Sequence, residues 1–507
     1  MKAFTQWCLR HHQRLGLWAW LFIACWALSG LAHPILSRIN PTAQATGTLL
    51  QPQAEHHIEP QAIASALGPF THLRVFNHQQ RLLLQLDHTR FADAATLAPL
   101  ANFEQNYAVD LARHFAGEPE ATVAAITKIS AFDDDYLTIN RLLPVWRVEF
   151  ARDDNLRVYV DTQQGQLATL VDDTKAATGH WFRTLHSWHF WPHEPSRVWL
   201  MSAALLLITA LGLMGFWLYL RWWRQGVFNH QHRWARSRRW HAHLSGVLAL
   251  ALTCFCTSGL FHLWASNPHP ALGQALENDA PPFGITLPGG WLEAQWIASG
   301  QQQHWRVVSA PEQGLDPHTS AHKQTLESPQ KSGHQHHNPK ARPVMPVIQY
   351  VGAERMASAP DSNFTDTAQA LARAQSRHWR GELAVKSTEY MAHFNRHYGF
   401  INKRLPVVAV RTQDDRGAQG PTYFIQPHTG TLAAVSNTTS ALEGASFGYL
   451  HKWHHLDFLG RNLRDLLLAL TVLGIFSAAC LGLWRWRQKP RAQAANPTRA
   501  KASVVCE

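Results

Sequence analysis

Four apolar stretches divide the chain. None contains Asp, Glu, Lys or Arg, and they cover Leu15 to Leu31, Val198 to Leu220, Leu244 to Leu263 and Leu466 to Trp484. Each is close to the roughly 20 residues that a helix needs to cross a bilayer. The pattern therefore predicts four transmembrane helices, with bounds at 15–33, 198–220, 241–263 and 463–484.

The first stretch also resembles a secretory signal peptide, because a basic flank precedes its apolar run. Two features favour a retained helix instead: its Trp-rich core and its similarity to the stretch that begins at Leu244.

Residues 34–197, between the first two stretches, show the patterns of a folded domain. Strands are predicted where apolar and polar residues alternate or β-formers cluster, at 82–86, 143–150, 157–161 and 166–170. Gly165 lies in the hairpin turn between the last two. Helices are predicted at 60–67 and 92–116. These elements indicate an α+β domain with a small antiparallel sheet.

Residues 264–462 repeat the end of that domain. Leu405-Pro406-Val407 matches Leu143-Pro144-Val145 at a shift of 262 residues, and Tyr398 matches Tyr136 at the same shift. A unit of helix, outer domain and helix is therefore predicted to be duplicated. The second copy carries an insertion, which we assign to the polar, histidine-rich residues 312–342 and interpret as a disordered loop.

The formal charge of +11 is concentrated in three segments. Fifteen cations and one anion in 1–14, 221–240 and 485–507 give +14, so the rest of the chain sums to 11 − 14 = −3. Basic residues thus flank the predicted membrane on one side. By the positive-inside rule both termini and the 221–240 loop are cytoplasmic, and the two domains are outside. Nucleic-acid binding is the weaker interpretation of this charge.

Histidines recur at matching positions of the two copies. His12 maps onto His241, and His33 onto His262, at a shift of 229 residues. On a helix, 21 residues rise about 31 Å and return to nearly the same face, so the two histidines of one span lie near opposite membrane surfaces. A repeated Leu-His-x-Trp-His segment adds four more at the outer surface: His186, His189, His451 and His454.

Paired neutral imidazoles on facing helices suit a haem iron, since the porphyrin needs an apolar slot and each axial nitrogen needs a helix to fix it. Zinc usually takes four ligands, and no Cys or Glu lies beside these histidines within the spans. A single histidine at a membrane helix end is more often an interfacial residue than a ligand. The recurrence favours ligation. All eight histidines are candidate haem-binding residues, with His12, His241, His33 and His262 as the predicted iron ligands.

In combination these features resemble the PepSY-associated transmembrane family, iron-regulated inner-membrane proteins that include a siderophore reductase. The resemblance lies in three places: His12 to Gly16 with Ser29-Gly30, the Leu-Pro-Val strands and the turns that follow them, and the Leu-His segments at His186 and His451. It implies a membrane α-helical protein of the bacterial inner membrane, with four transmembrane helices and two periplasmic α+β PepSY-like domains. It also implies haem b held by histidines and reduction of ferric siderophores in the periplasm. With candidate ligands at both membrane surfaces, we expect two haems.

The predicted function is a haem-containing reductase that passes electrons across the membrane to a ferric siderophore or another Fe(III) complex. Ferrous iron binds hard oxygen chelators less well than ferric iron, so reduction releases the metal. No Gly-x-Gly-x-x-Gly or P-loop pattern is present, so the expected electron donor is a quinol or a cytoplasmic reductase.

Two alternatives remain open. In a membrane-anchored binding or regulatory protein, His12 and His241 are dispensable. A metal permease would use the histidines as a relay, but the spans lack the carboxylates that cation pathways usually contain.

Overall fold

A computed structural model describes most of the chain. The described residues are 2–45, 47, 49–227, 236–265, 269–276, 281–299, 302–310, 347–352, 364–395 and 397–494. The insertion predicted at 312–342, with its histidines, lies outside them. The chain forms two compact units. We call residues 1–40, 175–267 and 439–507 the helical unit, and residues 41–174 and 268–438 the strand-rich unit.

Ten α-helices are described. They are α1 (Lys2–Ile39), α2 (Pro60–Leu67), α3 (Phe103–Ala116), α4 (Asp173–His186), α5 (Glu194–Arg224), α6 (Arg236–Ala265), α7 (Phe364–Gln375), α8 (Arg377–Arg380), α9 (Thr438–Ser446) and α10 (Arg461–Ala494). A π-helix follows α9 at Phe447–His451, and a 3₁₀ turn covers His454–Leu459.

Four described helices are long and apolar enough to cross a membrane. The candidate spans are Ala3–Leu36, Glu194–Arg224, Arg236–Ala265 and Arg461–Arg487. The helices meet through small and apolar side chains, with Ala19, Ile208 and Cys256 in the shared core. At Gly246 a side chain would overlap the ring of Tyr219, so glycine permits the close approach of α5 and α6.

Sixteen strands are described. They are β1 (His56–Ile58), β2 (Leu73–His78), β3 (Arg81–Leu86), β4 (Arg90–Asp93), β5 (Val123–Ile129), β6 (Val145–Phe150), β7 (Arg157–Asp161), β8 (Gln166–Val171), β9 (Ile285–Leu287), β10 (Trp291–Ser299), β11 (Gln302–Ser309), β12 (Val347–Gly352), β13 (Ala384–Met391), β14 (Val407–Gln413), β15 (Gln419–Gln426) and β16 (Thr431–Ser436).

The strand-rich unit contains two antiparallel four-stranded sheets, β5-β6-β7-β8 and β13-β14-β15-β16. Helix α3 packs on the first through Tyr107, Leu111 and Phe115, which recur every four residues and are buried. It ends at Gly117, whose φ of 71° is left-handed. Helix α7 covers the second sheet with Leu371 and its neighbours.

A six-stranded sheet joins the two sequence segments of this unit, in the order β12-β11-β10-β2-β3-β4. Strands β2 and β10 pair antiparallel, with Val75 opposite Ala294. Three fully buried tryptophans, Trp291, Trp296 and Trp305, fill one side of it. The two predicted α+β domains therefore share a sheet and one compact unit.

The repeated tyrosines have equivalent structural roles. Tyr136 donates its hydroxyl to the Leu142 carbonyl at 2.7 Å, and Tyr398 donates to the Arg404 carbonyl at 2.9 Å. Each bond closes the loop that precedes a Leu-Pro-Val strand, and both tyrosines are fully buried. The matching spacing in the sequence thus reflects a matching hydrogen bond.

The structure differs from the sequence predictions in several places. The helix predicted at 92–116 begins only at Phe103, because β4 occupies Arg90–Asp93 and the Asp93 carboxylate accepts the backbone N–H groups of Ala95 and Thr96 at 3.0 Å. Strands β1, β2 and β5 of the first sequence segment and β9 to β13 of the second were not predicted. Residues 175–197 and 439–462, predicted as parts of the outer domains, belong to the helical unit.

Candidate functional site

His12 of α1 and His241 of α6 face each other inside the helical unit. Their ring centres are 6.3 Å apart, and the ring planes make an angle of 55°. With about 2 Å for each metal–nitrogen bond and roughly 1 Å from nitrogen to ring centre, two imidazoles on opposite sides of one metal have centres about 6 Å apart. The pair is therefore spaced for one metal ion between the two rings.

Neighbouring helices hold these two rings in place. His241 donates from Nδ1 to the Ala478 carbonyl of α10 at 2.9 Å, which leaves Nε2 as its lone-pair nitrogen. A Cβ atom on Gly482 would lie 3.2 Å from Cε1 of His241, and a Cβ on Gly215 would lie 3.2 Å from Cε1 of His12. Glycine at both positions thus gives each imidazole room against the adjacent helix.

The two rings border a cavity of about 250 Å³ between α1, α5, α6 and α10. Its lining on α1 runs from Leu9 to Ile23, 14 residues on, or about 21 Å of helical rise. The lining is mostly Leu, Ile, Ala, Gly and Trp and includes no Asp or Glu. An elongated apolar slot of this kind suits a flat organic macrocycle.

A second facing pair consists of His186, the last residue of α4, and His451, the last residue of the π-helix. Their ring centres are also 6.3 Å apart, and the planes are nearly perpendicular at 89°. The structure thus brings together four of the eight predicted histidines as two pairs, each formed by one histidine from either half of the chain.

Serine hydroxyls set the proton positions of this second pair. Ser29 donates to the Cys25 carbonyl at 2.9 Å, so its oxygen accepts from Nδ1 of His186, also at 2.9 Å. Ser258 likewise donates to the Phe255 carbonyl at 3.1 Å, and its oxygen accepts from Nδ1 of His451 at 3.2 Å. With the protons on Nδ1, both Nε2 atoms carry the lone pairs that a metal requires.

Two tryptophans with left-handed backbone follow the second pair. Trp188 has φ 50° and Trp453 has φ 55°, two residues after His186 and His451 respectively. Bulky residues rarely adopt this conformation. Trp188 stacks on Trp26 at 5.4 Å between ring centres, and Trp453 stacks on Phe255 at 5.8 Å. These stacked rings stabilise the turns that follow His186 and His451.

The other predicted ligands have different partners. His262 bonds through Nδ1 to Glu443 at 2.5 Å and stacks on Phe447, so the structure pairs it with a carboxylate and not with a second imidazole. Nδ1 of His189 accepts from Arg197 at 3.2 Å, and His454 contacts Arg464 and Asp457. The backbone of His33 lies in α1, but its side chain is outside the described part.

The donor set fits haem better than a bare metal ion. No group of three or more His, Cys, Asp or Glu residues among the described residues is arranged to hold a metal. Two imidazoles alone do not complete a zinc site, whereas haem supplies four nitrogens and needs only two axial ligands. His12, His241, His186 and His451 therefore fit two bis-histidine haem sites.

Sequence reasoning did not identify the supporting residues, although the signal was present. Ser29 and Ser258 are related by the same shift of 229 residues as His12 and His241, and Gly215 and Gly482 lie within apolar stretches. The sequence does not reveal that each serine forms a hydrogen bond with a histidine on another segment.

Comparison with known proteins gives a family but no individual relative. A family model described as the PepSY-associated TM region matches residues 73–489. No curated protein and no solved structure matches the chain.

Proposed function

The chain belongs to the PepSY-associated TM region family, and from that premise we propose that it is a haem-containing membrane reductase. In this proposal it carries electrons across the inner membrane to a ferric siderophore or a similar Fe(III) complex in the periplasm. The observation that carries the proposal is the pair of facing histidine sites, both with ring centres 6.3 Å apart.

Haem b, when bound, supplies a one-electron Fe(III)/Fe(II) couple at each site. The chain's own residues provide the binding geometry. Ser29, Ser258 and the Ala478 carbonyl orient three of the four imidazoles through Nδ1. The mostly apolar lining next to His12 and His241 limits access of water and favours a bound macrocycle.

The separation of the two sites is compatible with electron transfer along the bundle. His12 and Ser29 are 17 residues apart on α1, or about 25 Å of helical rise, and Ser29 contacts His186. The cavity beside His12 already extends along α1 to Ile23. From Ile23 to Ser29 only 6 residues remain, or about 9 Å. A macrocycle that filled this cavity would leave a gap much shorter than the distance between the histidine pairs.

The proposed topology rests on charge. By the positive-inside rule, the basic segments at 1–14, 221–240 and 485–507 favour cytoplasmic termini and a periplasmic strand-rich unit. The matching pairs His12/His241 and His186/His451 support an internal duplication in which each half supplies one ligand to each site. Since the chain has no nucleotide-binding motif, its electron donor is a quinol or a separate cytoplasmic reductase.

The test is an oxidised-minus-reduced absorption spectrum of the purified full-length protein, with pyridine haemochrome quantification. We expect a b-type spectrum and two haems per chain. In vesicles with the protein reduced, adding a ferric hydroxamate chelate outside should reoxidise the haem and release Fe(II) to a ferrous-specific dye. A haem-supplied preparation that shows no reducible Soret band contradicts the proposal.

A further inference from the structure

Two arginines line the cavity beside His12 and His241. Arg238 lies three residues before His241 on α6, and Arg485 lies three residues after Gly482 on α10. Arg238 is exposed and Arg485 is half-buried. The rest of the lining is apolar or neutral apart from the two histidines, and none of it is acidic. One end of the slot is thus cationic.

Both guanidinium-bearing residues line the same cavity, although they come from different helices. No carboxylate forms an ion pair with Arg485 among the residues that the structure describes. Like charges held together beside an apolar cavity favour a ligand that brings negative charge. Guanidinium groups bind carboxylates particularly well, because two N–H donors match two oxygens.

The matching positions of the other half are uncharged. A shift of 229 residues relates Arg238 to Leu9, as it relates His241 to His12. A shift of 267 relates Arg485 to Leu218, as it relates Gly482 to Gly215. Both leucines also line the cavity. The positive charge at this end is therefore contributed by one half of the chain only. The surroundings of the two histidines thus differ in charge, although the histidines themselves occupy matching positions.

We propose that Arg238 and Arg485 bind the two carboxylates of the haem held by His12 and His241, and so fix its orientation in the slot. The inference rests on the proposed function and deepens it. The hydrocarbon edge of the group then faces the apolar part of the lining, around Ile23, Leu248 and Leu252. Both arginines are positioning residues.

The experiment compares haem with its dimethyl ester, which lacks both carboxylate charges. Full-length His451→Ala protein, in which only the His12/His241 site is complete, is produced under haem limitation and titrated in detergent with each compound while the Soret band is followed. We expect haem to bind at least about tenfold more tightly than the ester. The double variant R238Q/R485Q should bind the two compounds within roughly threefold of each other.

Matched controls are Arg239→Gln and Arg487→Gln, which remove charge one or two positions away on the same helices but do not line the cavity. Both control variants should keep the preference for haem over the ester. Arg485→Lys, which keeps the charge but not the two-donor geometry, should retain part of that preference. As a second readout, the midpoint potential of the site should fall in R238Q/R485Q, because nearby cations favour the ferrous state.

Three outcomes overturn the inference: equal binding of haem and ester by the parent protein, an unchanged preference in R238Q/R485Q, or an equal loss in the control variants. An unchanged preference is also what is expected if the arginines bind lipid headgroups or a donor protein. Failure of the proposed function is distinguishable, because then neither compound gives a bis-histidine Soret band in any variant.

Discussion

The two ends of the helical unit hold histidine pairs with the same spacing on different supports. At one end His12 and His241 project from the interiors of long helices α1 and α6, beside an elongated cavity. At the other end His186 and His451 terminate short helical segments, and serines instead of a carbonyl bind their Nδ1 atoms. The ring planes differ as well, at 55° and 89°.

A third pair of neighbouring histidines shows that a distance of 6.3 Å between ring centres is not a general consequence of packing. In the strand-rich unit the rings of His72 and His88 are tilted by 38° and have their centres 3.8 Å apart, too close for a metal between them. Among the described residues, ring centres about 6 Å apart are found for the two histidine pairs of the helical unit. The comparison teaches that the spacing of the two pairs is the same while the elements that support them differ; this is what the proposed function requires if the same kind of group binds at both.

The largest effect is expected from removing one ligand of either pair. His241→Ala and His451→Ala should each lower the haem content from two to one per chain, because one imidazole does not hold the iron against loss. Pyridine haemochrome analysis measures the ratio. The neighbouring His11→Ala and His455→Ala are the controls and should retain two. If His241→Ala left two haems in place, the first pair would not be a ligand pair.

The buried histidines of the strand-rich unit should make the stability of the fold depend on pH, and they should have no effect on haem binding. Burial lowers the pKa of His72, His88 and His428, and Arg306 and Arg404 lower that of His428 further. The unfolded chain therefore takes up protons first as the pH falls below about 6.5, and the folded state loses about 1.4 kcal/mol per pH unit for each such histidine.

Fluorescence-detected unfolding of the full chain between pH 7.5 and 5.5 checks this loss, since Trp291, Trp296 and Trp305 report on the shared sheet. His88→Gln should reduce the pH dependence and leave two haems bound. Loss of a haem in that variant would contradict the distinction between the two kinds of buried histidine.

Removing the serine partners should weaken only the second site. Ser29→Ala or Ser258→Ala leaves the Nδ1 proton of a ligand histidine without its acceptor, and the expected cost is about tenfold in haem affinity. Competition with apomyoglobin for haem measures it. Ser245→Ala is the control, since its hydroxyl bonds to the His241 carbonyl and not to a ring nitrogen. Equal weakening of both sites would show that the serines act through bundle packing.

The smallest effect is expected at the glycines beside the first pair. Gly215→Ala or Gly482→Ala places a Cβ 3.2 Å from an imidazole carbon, so the ring must move by a few tenths of an ångström. We expect roughly threefold weaker haem binding at this end only. Gly259→Ala, with nothing within 4 Å of the added Cβ, should bind normally. The same competition assay distinguishes these variants.

Much of the helical unit could be predicted from the sequence because its constraint is local. A span must be apolar over enough consecutive residues to cross a bilayer, and that requirement is visible residue by residue. The strand-rich unit was predicted less completely. Residues 60–67, 157–161 and 166–170 formed the expected elements, but β2 and its pairing with β10 depend on a partner more than 200 residues away.

The sequence by itself determined which residues recur, and hence that His12 and His241 on one side and His186 and His451 on the other occupy equivalent positions in the two halves. Only the tertiary structure decided that the members of each pair face each other, that His262 turns to Glu443, and that two arginines lie on one side of the first pair. The physical reason is that a repeat fixes chemistry along the chain, whereas distances between side chains on different helices follow from how those helices pack.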